Sequence, residues 1–309
     1  MRAYCIFDDF PKHEIERLEQ AGIKVDVLEH DKSRPDAWQM KVILENYDIV
    51  IIGTSQKINA DMWENITAPR IIGTASVGVD HIKVPDGKDS TILNTPNANA
   101  QSVAEYIVGC ALMCRKRLLE GNELYRVGKN NKALSKKPED IHGTVFGLVG
   151  AGHIAEKVMQ LLLPFGVEFL SYTKNPDRHR KLADAYGIRF VSLDELARRS
   201  DVVAVAVPND ASTQNLISSE IVAGLKKDSV FISVARSEVT DFNALLEKAR
   251  ENRNFYLCMD LDVKEPFIGK NERDNIIITP HIGGGTIETR KRMFAEVTDR
   301  IIRTVRERD

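Results

Sequence analysis

Short apolar runs separated by amphipathic stretches recur along the chain, and they predict alternating strands and helices. In the first third, the compact runs at 3–7, 24–28, 48–52, 70–73 and 91–94 read as strands. Between them, residues 12–21, closed by Gly22, and 36–46 have helical spacing, and a short capped helix opens at Asn59. A long helix follows over 102–117, carrying Val103, Tyr106, Ile107, Cys110, Ala111 and Cys114 on one side. The polar stretch 126–140 reads as a surface connection. Beyond it, strands are expected at 144–149, 167–172, 189–191, 202–207, 229–234, 255–259 and 276–279. Helices are expected from 153 onward and at 178–186, 193–199 and 241–251. Residues 286–306 form one amphipathic helix with Met293, Phe294, Val297, Ile301 and Ile302 inward. Such alternation predicts parallel sheets with helices on both faces, which bind ligands outside the carboxyl ends of their strands.

One junction organises the rest. Thr144-Val-Phe-Gly-Leu-Val runs into Gly150-Ala-Gly-His-Ile-Ala155 and on through Val158, Leu161 and Leu162 at helical spacing: strand, tight turn, helix. Gly150 permits the sharp turn. Gly152 has no side chain to block a pyrophosphate approaching the first N–H groups of the helix, at His153 and Ile154, where the positive end of the dipole lies. Ala155 stands in for a third glycine and allows close packing of helix on strand. The junction predicts a dinucleotide site.

Composition narrows the class without choosing a function. At 309 residues the chain is long for one core and comfortable for two domains. Its 43 Lys and Arg against 45 Asp and Glu call for neither nucleic acid nor a membrane surface as partner. No apolar run reaches the length of a membrane span, and the N-terminus meets acid too early for a secretory signal. Cys110 and Cys114 share a helix face inside an apolar run, which suits buried thiols; no C-x-x-C pair occurs, and no metal site is expected. A reducing cytoplasm is the expected location.

Six segments then fall in a telling order: Gly73-Thr-Ala-Ser-Val-Gly-Val-Asp-His81, Asn94-Thr-Pro-Asn-Ala-Asn-Ala-Gln-Ser-Val-Ala-Glu105, the Gly150 loop, Ser233-Val-Ala-Arg-Ser-Glu-Val-Thr-Asp241, Met259-Asp-Leu-Asp-Val-Lys-Glu-Pro266 and Thr279-Pro-His-Ile-Gly-Gly-Gly-Thr286. Over roughly residues 48 to 305 the chain resembles the D-isomer-specific 2-hydroxyacid dehydrogenase family. The resemblance implies an α/β protein of two doubly wound parallel-sheet domains. A Rossmann NAD(P)-binding domain, residues 99–280, would be inserted into a flavodoxin-like substrate domain built from 1–98 and 281–309. It also implies an active site in the interdomain cleft and a homodimer formed through the inserted domain, with the helix near 102–117 involved.

Hydride transfer between a nicotinamide and a 2-keto acid asks three things of a protein: a proton for the carbonyl oxygen, polarisation of that oxygen, and a grip on the carboxylate. By resemblance, His281 supplies or accepts the proton, as an imidazole titrating near neutrality can. Glu265 matches its acidic partner, which would favour the charged ring and hold its tautomer. Arg236 matches the arginine that binds carboxylate and carbonyl with a forked, permanently charged guanidinium. The loop of Ser76, Val77 and Gly78 would bind substrate, with the Val77 and Gly78 N–H groups on the carboxylate. Asp260 matches the aspartate that contacts the nicotinamide amide, and Pro208, Val234, Ala235 and Gly283 complete the cofactor set. Asp262 reads as an exposed turn residue.

The choice of nicotinamide turns on the end of strand 167–172. An acid there would bind a ribose 2′-hydroxyl, but the chain has Thr173 followed by Lys174, Asn175 and Arg178. A hydroxyl with two nearby cations suits a 2′-phosphate, so NADP is favoured over NAD. Substrate choice is left open. The turn Gly53-Thr-Ser-Gln-Lys57 offers only Lys57 where phosphoglycerate-specific relatives carry arginine. The segment from Ile72 to His81 resembles both glyoxylate/hydroxypyruvate reductases and erythronate-4-phosphate dehydrogenases, which makes Lys57, Arg70 and Lys83 candidate phosphate contacts. Ser237 replaces the usual glycine after the arginine, and Ser233 the usual asparagine. Three readings stand: a 2-keto acid reductase, a biosynthetic enzyme of phosphorylated acids, and a non-catalytic nucleotide sensor.

Overall fold

The computed structural model describes residues 1–29, 35–64, 66–67, 69–261 and 273–308. In chain order its elements are β1 (Arg2–Cys5), α1 (Lys12–Gln20), β2 (Lys24–Val27), α2 (Ala37–Asn46), β3 (Ile49–Ile52), β4 (Ile71–Thr74), β5 (Thr91–Leu93), α3 (Ala100–Arg115), α4 (Leu118–Arg126), β6 (Val145–Val149) and α5 (His153–Leu162). There follow β7 (Glu168–Tyr172), α6 (Arg180–Tyr186), β8 (Arg189–Phe190), α7 (Leu193–Arg199), β9 (Val202–Val205), α8 (Ser219–Gly224), β10 (Val230–Ser233), α9 (Phe242–Glu251), β11 (Tyr256–Asp260), β12 (Ile276–Thr279) and α10 (Ile287–Arg308). Two compact units result, residues 1–99 with 286–309 and residues 100–285. The chain returns to the first unit only after Gly285, so His281 and the glycines behind it belong to the second, beyond the expected switch at 280. The physical reason is the anchoring of Ile282 and Gly283 to β11, described below.

The first unit is a five-stranded parallel sheet in the order β2-β1-β3-β4-β5, a flavodoxin-like arrangement. Its central strands, Ile-Val-Ile-Ile and Ile-Ile-Gly-Thr, are buried at every position, which is why they appear as unbroken apolar runs. On α10, Phe294, Val297, Ile301 and Val305 enter this core, whereas Met293 and Ile302 are only partly buried. Phe294 meets Phe7 and Phe10 at centroid distances of 5.0 and 4.9 Å. Arg290 clamps Asp9 with two hydrogen bonds of 2.5 and 2.6 Å and lies over the Phe7 and Phe294 rings.

The second unit is a seven-stranded parallel sheet, β12-β11-β10-β9-β6-β7-β8, the doubly wound Rossmann order. Alternate residues feed two cores. Phe146, Val158, Ile232 and Cys258 lie on one face; Val149, Leu196, Phe231 and Leu257 lie on the other. The chain winds outward in both directions from β6 and β9, which makes the carboxyl ends of these two strands the topological switch point. All four cysteines are buried and free, and the Cys114 and Cys258 sulfurs approach to 3.4 Å.

Two helices and one helix type depart from expectation. The helix expected over 102–117 stops at Arg115, Arg117 takes a left-handed φ of 54°, and α4 runs on in a new direction. Only Glu120 of α4 is buried, so no apolar stripe announces it. The short α8 has one buried residue, Val222. The short helix expected to open at Asn59 is a 3-10 turn, Ala60–Trp63, and the Asn59 side chain makes no cap bond.

Candidate active site

At the switch point, Gly150 has a φ of 106° and donates its N–H to the Tyr172 carbonyl at 2.9 Å. A Cβ at this position would lie 2.8 Å from the Ala206 carbonyl oxygen, so only glycine fits. Gly152 is the N-cap of α5 and offers no capping side chain, and a Cβ there would meet nothing within 4 Å. The Glu156 N–H makes a bond back to Gly152, 3.0 Å long. The N–H groups ahead of it, those of His153, Ile154 and Ala155, have no intrahelical acceptor. A tight glycine turn leading into helix N–H groups that no intrahelical bond uses fits a dinucleotide pyrophosphate.

Thr173 follows β7 and is half-buried. The Lys174 ammonium donates to the Ser212 carbonyl at 2.5 Å, which fixes it against the loop after Pro208. That loop is closed by Thr213, whose hydroxyl donates to the Pro208 carbonyl at 2.7 Å. The Ser212 hydroxyl and N–H, with Lys174 further off, hold the Asp210 carboxyl below the usual carboxylate range. Arg178 is exposed, and its guanidinium has no partner among the described residues.

Three neighbouring strands, β10, β11 and β12, end at the same edge of the sheet. Val234, whose N–H reaches the Val205 carbonyl at 3.1 Å, and buried Ala235 lead from β10 to Arg236. Arg236 is exposed, its carbonyl opens the 3-10 turn Ser237–Val239, and its guanidinium has no partner among the described residues. His281 comes just after β12, also exposed. Two interstrand steps put the β10 and β12 ends roughly 10 Å apart, close enough for two long side chains to reach one small molecule.

His281 has a φ of 54°, a left-handed backbone on a residue with a Cβ. That conformation costs about 1–2 kcal/mol. Asp260, buried at the end of β11, offsets it. One carboxylate oxygen accepts the Thr279 hydroxyl at 2.6 Å and the Ile282 N–H at 2.8 Å; the other accepts the Gly283 N–H at 2.8 Å. Hydrogen bonds to a buried charge contribute about 1.5–3 kcal/mol each, so the latch outweighs the strain. Because Thr279 spends its proton on the carboxylate, the Tyr106 hydroxyl, 2.8 Å away, must donate to Thr279. Burial pushes the Tyr106 phenol far up, which keeps that proton in place. A Cβ at Gly283 would sit 2.9 Å from the Asp260 carboxylate, so the latch also requires glycine there. Glu265, the expected partner of His281, lies outside the described residues, as does Asp262.

In the first unit, the loop after β4 is held by its carbonyls. The Ser76 carbonyl accepts the Thr95 N–H and hydroxyl at 2.8 and 3.1 Å, and the Val77 carbonyl accepts the Asn94 amide at 2.7 Å. The Gly78 carbonyl accepts the Ser76 hydroxyl at 2.7 Å. Three successive carbonyls are thus engaged by the protein. The Val77 and Gly78 N–H groups have no acceptor among the described residues, and both residues are exposed. Ser76 itself is buried and its only hydroxyl proton is spent inside the loop, so it shapes the loop rather than offering a donor outward. Lys57, Arg70 and Lys83 are exposed around this unit.

The sequence pointed to the strand ends and the glycine turn, but not to the parts played by Tyr106 and Thr279, since nothing in local spacing pairs residues so far apart. Comparison with known proteins agrees with the fold. The family model for the D-isomer specific 2-hydroxyacid dehydrogenase NAD binding domain matches residues 108–283. A hydroxypyruvate reductase of Thermotoga maritima is 32% identical over 272 residues, covering 85% of this chain and 86% of the relative. A glyoxylate reductase of Thermococcus kodakarensis is 27% identical over 304 residues, covering 94% of this chain and 90% of the relative. The crystal structure of the TT0316 protein from Thermus thermophilus aligns with a TM-score of 0.78 at 25% identity, over 96% of this chain and 94% of that one. The chain belongs to the D-isomer specific 2-hydroxyacid dehydrogenase family.

Proposed function

We propose that the protein is a nicotinamide-dependent reductase of small 2-keto acids, working on substrates of the glyoxylate and hydroxypyruvate class. The observation that carries this reading is the latched His281, held with a left-handed backbone at the same sheet edge as Arg236, whose guanidinium has no partner among the described residues. Arg236 binds the substrate carboxylate and draws electron density from the carbonyl oxygen. In the first unit, the Val77 and Gly78 N–H groups are assigned as donors to a carboxylate. Protonated His281 then gives its proton to the carbonyl oxygen as the carbonyl carbon gains a hydride, and the product is the 2-hydroxy acid. Glu265 is assigned as the carboxylate that orients His281. In oxidation His281 removes the hydroxyl proton.

The second unit is assigned to the cofactor. Gly150, Gly152, His153 and Ile154 would hold the pyrophosphate, and Pro208, Val234, Ala235, Asp260 and Gly283 would flank the remainder. A bound nicotinamide supplies the hydride in reduction and takes it up in oxidation. Asp260 already accepts three hydrogen bonds, which leaves about one acceptor position of a carboxylate for the nicotinamide amide. NADP is preferred over NAD because position 173, directly after β7, holds a threonine where an acid would bind a ribose 2′-hydroxyl, with Lys174 and Arg178 close by in sequence. Free, buried cysteines support a reducing, cytoplasmic setting. A homodimer through the second unit is the assembly this reading adopts.

The test is loss of reduced-cofactor absorbance with a panel of glyoxylate, hydroxypyruvate, pyruvate, longer 2-keto acids and phosphorylated keto acids, each with NADH and NADPH. Turnover of glyoxylate or hydroxypyruvate, faster with NADPH, is expected. Tight cofactor binding without turnover of any acid would overturn the proposal in favour of a nucleotide sensor.

A further inference from the structure

We propose that His81 is a positioning residue for the carboxylate-binding loop, acting through a directed line of hydroxyl groups that ends on the Gly78 carbonyl. The inference rests on the reading of the Val77 and Gly78 N–H groups as substrate donors, and it names what braces their loop on the carbonyl side of Gly78.

The line has four members. The His81 Nε2 lies 3.1 Å from the Thr74 hydroxyl, which lies 2.8 Å from the Ser76 hydroxyl, which lies 2.7 Å from the Gly78 carbonyl. Chemistry fixes its direction. A carbonyl can only accept, so Ser76 donates its single proton to Gly78. Ser76 must then accept from Thr74, which spends its own proton in doing so. Thr74 must in turn accept, and the atom facing it is Nε2. His81 therefore carries its proton on Nε2. Burial lowers the affinity of the ring for a second proton, against a smaller opposing effect of Asp80. Neutral, Nε2-protonated imidazole is the form that completes the line.

The surroundings make the line specific. Thr74 and Ser76 are buried, so water does not substitute for either partner. The His81 backbone is pinned by the Ile58 N–H on its carbonyl at 2.9 Å, next to the bridge between Ile58 and Ile82. The carbonyls of Ser76 and Val77 are held from the other side by Thr95 and Asn94. Of the three successive carbonyls, only that of Gly78 depends on the loop's own side chains, and His81 is the head of that dependence. Without the Nε2 donor, the two hydroxyls can rotate and release the Gly78 carbonyl. The Gly78–Val79 peptide then turns, and Gly78, whose own N–H is one of the two donors, loses the anchor on its carbonyl side, while the Ser76 and Val77 carbonyls stay held by Thr95 and Asn94.

The test uses the full chain with His81→Phe, His81→Gln, Thr74→Val and the double variant Thr74→Val/His81→Phe. With glyoxylate as substrate, His81→Phe should raise KM about 3- to 10-fold, the range one such hydrogen bond supplies, with kcat and the KM for NADPH nearly unchanged. His81→Gln, which keeps an N–H donor, should recover most of the loss. The double variant should be no worse than the poorer single one, because both break the same line. Two readouts stand apart from turnover. Nitrogen-15 spectra should show the His81 proton on Nε2, and amide exchange of the Val77–Gly78 segment should quicken in His81→Phe. A proton on Nδ1, or unchanged KM and exchange in both His81→Phe and Thr74→Val, would overturn the inference. Absence of turnover in the unmodified protein would instead overturn the functional reading, and the spectra and exchange would still decide the role of His81.

Discussion

In the proposed reaction His281 concentrates the chemistry in one residue whose backbone is strained and whose position is enforced from below. Asparagine tolerates the left-handed region about as well as histidine does, so His281→Asn removes the proton donor while keeping the turn. The expected outcome is a fall in kcat of about 10²- to 10⁴-fold, the usual loss of a general acid, with the melting temperature nearly unchanged. A comparable loss of stability would mean that the residue is structural. The sequence offered the histidine as a strand-end residue before three glycines, yet not the reason it stays there. That reason is Asp260, with Thr279 and Tyr106 behind it, and it becomes visible only when β11, β12 and α3 lie side by side.

At the scale of elements, the strands lie within a residue or two of the apolar runs that predict them, because strands buried on both faces leave no other pattern. The break between α3 and α4 was not legible, because it is built from polar groups. Arg117 and Glu120 form a buried ion pair at 2.5 Å, and Glu120 also accepts the Ser135 N–H at 2.8 Å, tying the helix to the polar connection that follows. Arg117 lies over the Tyr256 ring as well. Burial alone would push the Glu120 carboxyl up, but the Ser135 N–H and Arg117 together bring it below the ordinary range. A carboxyl depressed in the folded state contributes stability that is present above the unfolded carboxylate range and lost as pH falls through the folded value. Glu120→Gln should therefore destabilise the protein by about 3–5 kcal/mol at neutral pH, as expected when one partner of a buried pair is removed. It should also flatten the decline in melting temperature below about pH 4. Thermal melts of both proteins from pH 3 to 8 check this; parallel curves would show the pair to be of little consequence.

For the molecule as a whole, the strand orders of the two sheets explain why one chain reads as two repeated α/β patterns, and why the glycine turn sits at the point where the second sheet winds both ways. The proposed cofactor preference belongs to this scale, because the residues assigned to it follow β7 and one of them, Lys174, is held by the loop after Pro208. Thr173→Asp would bring a carboxylate to the place assigned to a 2′-phosphate. Affinity for NADPH should drop by at least about tenfold, the size of one like-charge contact near a surface, while affinity for NADH changes little. Titration of cofactor fluorescence measures both; equal changes would remove the argument from charge. What the sequence could not give at this scale is substrate choice, since the exposed cations Lys57, Arg70 and Lys83 gain meaning only from an anion placed among them.

The most direct measurement follows one atom. With NADPH carrying deuterium at the transferring position of C4 and glyoxylate as acceptor, the wild-type protein should yield glycolate bearing one deuterium on its hydroxyl-bearing carbon, and Arg236→Gln or His281→Asn should yield almost none in the same time. Glycolate without the label, or labelled product formed equally well by all three proteins, would contradict the account.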